Sequence, residues 1–356
     1  MSDKTHIILP LRRLVPNDIS ILRYVLGSTI AMSIALGFTW NLSYLLPVLS
    51  LGYFAPNAKL PTFKQGLLFI GTITISSYLT LLFSKFFIEY LWVFIPIQAL
   101  ALLHIFYTNK LDPTNKLFVL LTFLLIPILA SISMGVAYAV AVSLIVTASI
   151  TLVLIWTVHA IIPDIRSFKN IQKPKPAGKI PTQQERFLNA LNTLIVVFPV
   201  VMVFYFFQWA GGLLILIFIA ILSMQPSFNL KTGFLLILGN FVGGIYAIIM
   251  YEFLVIVPEF SFLILLILLA GLFLAARLFS ERKTAPLYGM SFSTLLLIIG
   301  QATSTTSDAG DKVWIRVVEI MIAVIYVVLA FAILNFLKER RLNKKAGKKE
   351  INKTIG

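Results

Sequence analysis

The chain contains no cysteine, only three histidines and few charged residues. Without cysteine it has no disulfides, no thiolate metal ligands and no cysteine nucleophile. Charged residues make up 12% of the chain, against about a quarter in soluble proteins, and hydrophobic residues make up 59%. A chain of 356 residues with this composition is predicted to cross a membrane several times.

Sequence signals of catalysis are also missing. No glycine-rich phosphate loop occurs, and the spacing of His6, His104 and His159 does not resemble a metal site. The segments between the apolar runs are too short for a nucleotide-binding domain. The sequence therefore predicts no enzyme, no cofactor and no metal, and it favours an ion gradient over ATP as the energy source.

The formal net charge of +15 does not point to nucleic acid. The basic residues lie between apolar segments and in the C-terminal tail, as in membrane proteins whose cytoplasmic loops carry excess lysine and arginine. With the N-terminus in the cytoplasm and twelve crossings, all but Lys85, Lys312 and Arg316 of the 29 basic residues fall on the cytoplasmic side. This bias predicts a bacterial inner-membrane protein with both termini in the cytoplasm.

The apolar segments predict an all-α fold of about twelve transmembrane helices. The second segment is short and contains Pro47 and Pro56, so we expect it to be tilted, kinked or only partly spanning. We expect the basic tail to be disordered. The predicted parts are an N-terminal segment (1–20), a first six-helix half (21–163), a basic linker (164–187), a second six-helix half (188–337) and a basic tail (338–356).

The two halves share a pattern that predicts an internal repeat. In each, a segment ends at a proline, a lysine follows, and the next apolar run carries a glycine beside a small polar residue. The matching residues are Pro56, Lys64, Gly71 and Thr72 in the first half and Pro226, Lys231, Gly239 and Asn240 in the second. Because each half has six crossings, the repeats are expected to be parallel, with a pathway between them.

The last apolar segment, residues 313–337, carries the most unusual charges. Arg316 and Glu319 are three residues apart and share one face of a helix. Charged side chains within an apolar transmembrane helix must face protein or water and not lipid. Three interpretations stay open: a structural ion pair, a substrate site in which the guanidinium holds a carboxylate, or a glutamate that is protonated and released during transport.

Weaker candidates accompany this pair. His104 is either a proton relay or a neutral histidine that is hydrogen-bonded between helices. Lys64 and Lys231 either gather anions from the cytoplasm or extend to the interface. Small residues are expected to form close helix contacts; they are Gly71, Thr72, Gly239, Asn240 and Gly243.

These motifs resemble the fusaric acid resistance (FUSC) and aromatic acid exporter superfamily. The resemblance covers nearly the whole chain in two copies. It rests on Pro56, Lys64 and Gly71-Thr72, on Met224-Gln225-Pro226-Ser227 with Gly239-Asn240-x-x-Gly243, and on Arg316-Val317-Val318-Glu319, which is similar to the family's Arg-x-x-Asp. The chain departs from the family pattern at Leu68, where the family has arginine. Its first half lacks the Arg-x-x-Asp motif, and only a linker stands where many relatives carry a cytoplasmic domain.

The resemblance implies efflux of aromatic or other amphipathic organic acids, with a periplasmic membrane-fusion adaptor of the HlyD type as a partner. In this hypothesis the lysines gather the anion, the cleft between halves passes it, and Arg316 with Glu319 gates or couples transport. The alternatives are an organic-anion channel and a non-transporting component for membrane assembly or lipid metabolism. The expected partners are the bilayer and a small organic anion, without nucleic acid. The oligomeric state, homo-oligomers included, stays open.

Overall fold

The computed structural model describes residues 16–354 except 57, 110, 164–181, 208–212, 224–229, 283 and 304–308. The described residues form twelve helices and no strand. The predicted linker up to residue 181 and the motif Met224-Gln225-Pro226 lie outside them. The helices are α1 (Pro16–Phe38), α2 (Leu45–Phe54), α3 (Phe63–Phe87), α4 (Leu91–Tyr107), α5 (Pro113–Ile132), α6 (Met134–Ile161), α7 (Gln183–Phe207), α8 (Leu213–Ser223), α9 (Leu230–Ile256), α10 (Phe260–Leu278), α11 (Ala285–Thr303) and α12 (Ala309–Thr354).

Nine of the described helices are long and apolar enough to cross a bilayer. The chain is a multi-pass membrane protein of α-helices. Helix α4 has 17 residues, whereas α2 and α8 have 10 and 11. At 1.5 Å per residue, the two shortest helices extend for roughly 15 Å, about half of the hydrocarbon thickness.

Helix α2 is a short helix enclosed by protein. The turn before it places Thr39 and Leu42 at φ values of 30° and 62°, in the left-handed region. The indole N–H of Trp40 donates a hydrogen bond of 2.9 Å to the hydroxyl of Thr147, halfway along α6. Most of the side chains of α2 are apolar, and they are buried by other helices instead of being exposed to lipid. The helix therefore begins within the bundle and has little contact with lipid.

The core of the bundle lies around α5 and α11. About two thirds or more of the apolar stretch of each is buried, against about one third in α3, α7, α10 and α12. The outer helices expose leucine, isoleucine and phenylalanine side chains, which suits contact with lipid. The two central helices are thus shielded from the bilayer by the others.

Helix neighbours follow one rule through the described bundle. Helix α3 packs against α5 and α6, and α9 packs against α11 and α12. Adding six to each helix number of the first set therefore gives the second set. The rule extends across the two halves, because α1 packs against α10 as α7 packs against α4, and α2 against α11 as α8 against α5.

Two boundaries differ from the sequence predictions. Helix α12 continues to Thr354, whereas the tail from residue 338 was expected to be disordered. Helix α1 begins at Pro16, and Arg23 lies inside it with only 5% of its surface exposed. The predicted orientation has this arginine on the cytoplasmic side with the N-terminal segment. A long arginine side chain can reach along a helix into protein contacts that its sequence position does not reveal.

Candidate functional site

A recess opens where α4 ends and α7 begins. Its walls are formed by Tyr107, Gln183, Gln184 and Phe187, and its volume is about 400 Å³. The rings of Tyr107 and Phe187 meet edge to face with their centroids 6.5 Å apart. The recess therefore combines two aromatic surfaces with two side-chain amides at the boundary between the halves.

Local sequence fixes both helix ends at the recess. The Thr182 N–H donates to the Glu185 carboxylate (2.8 Å) and the Glu185 N–H donates to the Thr182 hydroxyl (3.3 Å). This reciprocal capping box starts α7 at Gln183. On the opposite side, the Lys116 ammonium donates a 2.9 Å hydrogen bond to the Phe106 carbonyl and holds the end of α4 against α5.

The recess carries a guanidinium at its edge. The Arg186 side chain is half-buried, and its central carbon lies 6.0 Å from the centroid of the Tyr107 ring. In the part of the chain that the structure describes, its buried Nε has no hydrogen-bond partner. The nearby Glu185 carboxylate is already engaged by the Thr182 N–H. A guanidinium beside aromatic rings can bind a planar anion by combining charge-assisted hydrogen bonds with stacking.

A buried polar contact joins the same two helices deeper in the bundle. The Tyr205 hydroxyl on α7 donates a 2.5 Å hydrogen bond to the side-chain oxygen of Gln98 on α4. The amide nitrogen of Gln98 donates to the Phe123 carbonyl at 3.0 Å. Gln98 is only 1% exposed, and the Tyr205 ring packs edge to face on Phe94. This network ties α4 to α7 across the boundary between the halves.

The predicted charged pair on α12 is only partly described. Glu319 is buried, with 7% of its surface exposed. The side chains of Arg316 and Lys231 lie outside the described residues, although the backbone of each is helical. Val317, two residues before the glutamate, packs against Gly244 of α9. The structure thus places the glutamate inside the bundle, on a helix that packs against α7, α8 and α9.

His104 and Lys64 both lie at exposed helix positions. His104 is one helical turn before Tyr107 on α4, and its side chain is exposed, so it is not buried between helices. This position places it close to the recess. Lys64 is exposed in the first turn of α3, beside the capping box formed by Thr62 and Gln65.

The residues that were predicted to form close helix contacts differ between the first and the second half of the chain. In the first half, a Cβ added at Gly71 would meet nothing within 4 Å, and the Thr72 hydroxyl donates to the Leu68 carbonyl of its own helix. The close contact expected for these two residues is therefore not observed, because they lie on a partly exposed face of α3.

The second-half residues lie against α11. A Cβ added at Gly243 would lie 2.5 Å from the Ser291 carbonyl oxygen, and one at Gly239 would lie 3.0 Å from the Leu287 carbonyl oxygen. The Ser291 hydroxyl donates to the Gly239 carbonyl at 2.8 Å. Asn240 is buried, and its side-chain oxygen accepts a 2.6 Å hydrogen bond from the Thr294 hydroxyl.

Two features of the site were not predicted from the sequence: the position of Arg186 and the contact between Gln98 and Tyr205. Arg186 was counted only as part of the basic linker, although Thr182 and Glu185 carry the sequence signature of a helix start just before Phe187. Gln98 and Tyr205 lie far apart in sequence, and no pattern in either segment indicates their contact.

Comparisons with known proteins give no relative for this chain. No family model, no curated protein and no solved structure matches it. In the described residues, no three histidine, aspartate or glutamate side chains cluster in a way that could hold a metal ion.

Proposed function

We propose that the protein is a transporter of organic anions that bind first in the recess between α4 and α7. The observation that carries the proposal is the Arg186 guanidinium beside the Tyr107 ring, which itself meets the Phe187 ring edge to face. An aromatic or amphipathic carboxylate matches this chemistry, since its ring can pack on the aromatic side chains while its charge meets the guanidinium.

The transporter is proposed to consist of two parallel six-helix repeats. The support is the neighbour rule of the bundle, in which adding six to the helix numbers generates each matching contact. Such repeats lie about an axis along the membrane normal, and a substrate pathway follows their boundary. The short helices α2 and α8 take equivalent places at this boundary, against α11 and α5.

The recess is proposed to face the cytoplasm of a bacterial cell. The support is the distribution of the basic residues, which puts Arg186 and Lys116 on the side that carries almost all lysines and arginines. Transport from the recess then means export through the inner membrane. An adaptor of the HlyD type on the far side would extend this route, as the sequence resemblance implies.

Passage beyond the recess requires a change at the contact between Gln98 and Tyr205. This hydrogen bond closes the boundary between α4 and α7 at a depth where both groups are buried. Opening it would expose an amide and a hydroxyl that can bind a carboxylate or water. Glu319 and Arg316 remain the proposed coupling residues on α12.

The test is uptake of radiolabelled salicylate into liposomes that contain the purified protein. We expect saturable uptake that Arg186→Gln reduces at least tenfold and that Arg186→Lys restores only in part, because lysine lacks the bidentate geometry. The matched control is Arg282→Gln, which removes an exposed arginine outside the recess and should leave uptake unchanged.

Two further measurements separate the alternatives. Cyclohexanecarboxylate has the charge of salicylate without its aromatic ring, and we expect it to compete poorly. Uptake that does not saturate and that appears as single-channel current would contradict a carrier and favour a channel. Equal uptake by the Arg186→Gln variant would contradict the assignment of the recess.

A further inference from the structure

The C-terminal half of α3 buries hydroxyl groups instead of hydrocarbon. The buried face of α3 begins with Gly66, Phe69 and Ile73 and continues with Ser76, Ser77, Thr80 and Ser84. The opposite face of the same half exposes apolar side chains, namely Ile75, Leu79, Leu82 and Phe86. The polar groups of this half therefore point into the protein.

Two of the four hydroxyls lack a hydrogen-bond partner in the described structure. Ser77 is 1% exposed and Ser84 is fully buried, and the Oγ atom of each makes no hydrogen bond. Thr80 differs, because its hydroxyl donates to the Ser76 carbonyl of its own helix at 2.7 Å. Ser77 and Ser84 are seven residues apart, so they lie on one face about 10 Å from each other along the axis.

The neighbouring helices give these two hydroxyls no hydrogen bond in the described structure. Helix α3 packs against α5, where Phe69 meets Phe118, and against α6. The second half of α5 buries hydrocarbon side chains, whereas the buried hydroxyls of α6 donate to carbonyls of their own helix; these hydroxyls are Ser143, Thr147 and Thr151. A buried hydroxyl without a partner is costly, and water is the smallest group that satisfies both its donor and its acceptor.

The equivalent interface in the second half has no such deficit at its centre. On α9, Asn240 bonds to Thr294, and the carbonyl of Gly239 accepts from Ser291. These bonds are made directly between α9 and α11, so no water is needed.

We propose that the buried face of the C-terminal half of α3, which packs against α5 and α6, is a hydration site at which water enters and binds Ser77 and Ser84. The site goes beyond the proposed function, because it identifies the helix interface that opens to water in a carrier or a channel alike. The small size of serine, by itself, would explain close packing. It does not explain why two of the hydroxyls are left without partners.

Cysteine accessibility tests the proposal directly, since the chain has no cysteine of its own. Ser77→Cys and Ser84→Cys are nearly isosteric substitutions. The controls are Ile73→Cys on the same face of α3 and Ala247→Cys on α9, both at fully buried positions. We expect a small, charged, membrane-impermeant thiol reagent to modify residues 77 and 84 at least tenfold faster than the controls in liposomes. Equal rates at all four positions would overturn the proposal.

A measurement on the unsubstituted protein covers the case in which a cysteine variant fails to fold. We expect backbone amides of residues 76–84 to exchange with deuterium at least tenfold faster than those of residues 243–250 in α9. Equal protection of the two segments would also overturn the proposal. Rapid labelling of Ser77→Cys together with absent salicylate uptake would leave the hydration site standing and reject the transport function.

Discussion

Helix pairs α3–α5 and α9–α11, whose helix numbers differ by six, are both in contact but are held together differently. The second pair has glycines against the α11 backbone and hydrogen bonds that cross the interface. The first pair is joined by aromatic contacts near the start of α3 and carries hydroxyls without partners near its end. One interface is thus fixed by direct polar contacts between its helices, and the other carries hydroxyls that have no partner among the described residues.

The largest expected effect comes from adding one methyl group at a glycine of α9, with a glycine of α3 as the comparison. Gly243→Ala would place a Cβ against the Ser291 carbonyl and the Thr294 side chain, and we expect a loss of about 1–3 kcal/mol in the free energy of unfolding. Gly71→Ala meets open space and should cause no loss. Unfolding in mixed detergent micelles measures both, and equal losses would show that the two interfaces do not differ.

A smaller effect is expected from the interhelical hydrogen bond. Thr294→Val removes the donor to Asn240, and such bonds within membranes contribute about 0.6 kcal/mol on average and up to about 1.7 kcal/mol. Thr72→Val removes only a bond within α3 and should change the free energy of unfolding by less. A double-mutant cycle of Thr294→Val with Asn240→Ala isolates the pair, and zero coupling energy would contradict the assigned bond.

The smallest effects on the free energy of unfolding are expected at two buried serines, where alanine should lower stability at one position and leave it unchanged or raise it at the other. Ser291→Ala loses the bond to the Gly239 carbonyl and should destabilise the protein by about 0.5–1 kcal/mol. Ser77→Ala removes a hydroxyl that has no partner, so it should be neutral or stabilising. Thermal unfolding of the two variants under one condition makes the comparison. Destabilisation by Ser77→Ala as large as that by Ser291→Ala would indicate that the Ser77 hydroxyl bonds a protein group and not water.

Much of the fold could be predicted from the sequence because lipid imposes a simple rule on it. Apolar stretches of about twenty residues in a chain with few charges must be helices that cross the bilayer. The short second segment, with Pro47 near its start, was expected to be tilted, kinked or only partly spanning, and α2 is a 10-residue helix. The continuation of α12 to Thr354 was missed, because a run of lysines favours solvation without determining whether the backbone is helical.

The candidate site could be predicted only in part. Glu319 was singled out because a carboxylate is conspicuous in an apolar helix, and its side chain is buried. The recess was not foreseen, since Tyr107 and Phe187 belong to helices separated by two others and a linker. Gly71 and Gly239 have similar sequence surroundings and different neighbours, because helical rotation decides which face meets α5 or α11.

The sequence by itself determined that this protein is a helical, multi-pass membrane protein, because composition and the length of apolar runs respond to the bilayer alone. Only the tertiary structure decided which polar groups find partners. Thr294 donates to Asn240 and Ser291 donates to the Gly239 carbonyl across α9 and α11, and Tyr205 donates to Gln98. The hydroxyls of Ser77 and Ser84 have no partner among the described residues. Whether a hydrogen bond forms depends on differences of a few tenths of an ångström in the distance between donor and acceptor. A one-dimensional pattern of apolar residues does not determine the spacing of helices to that precision.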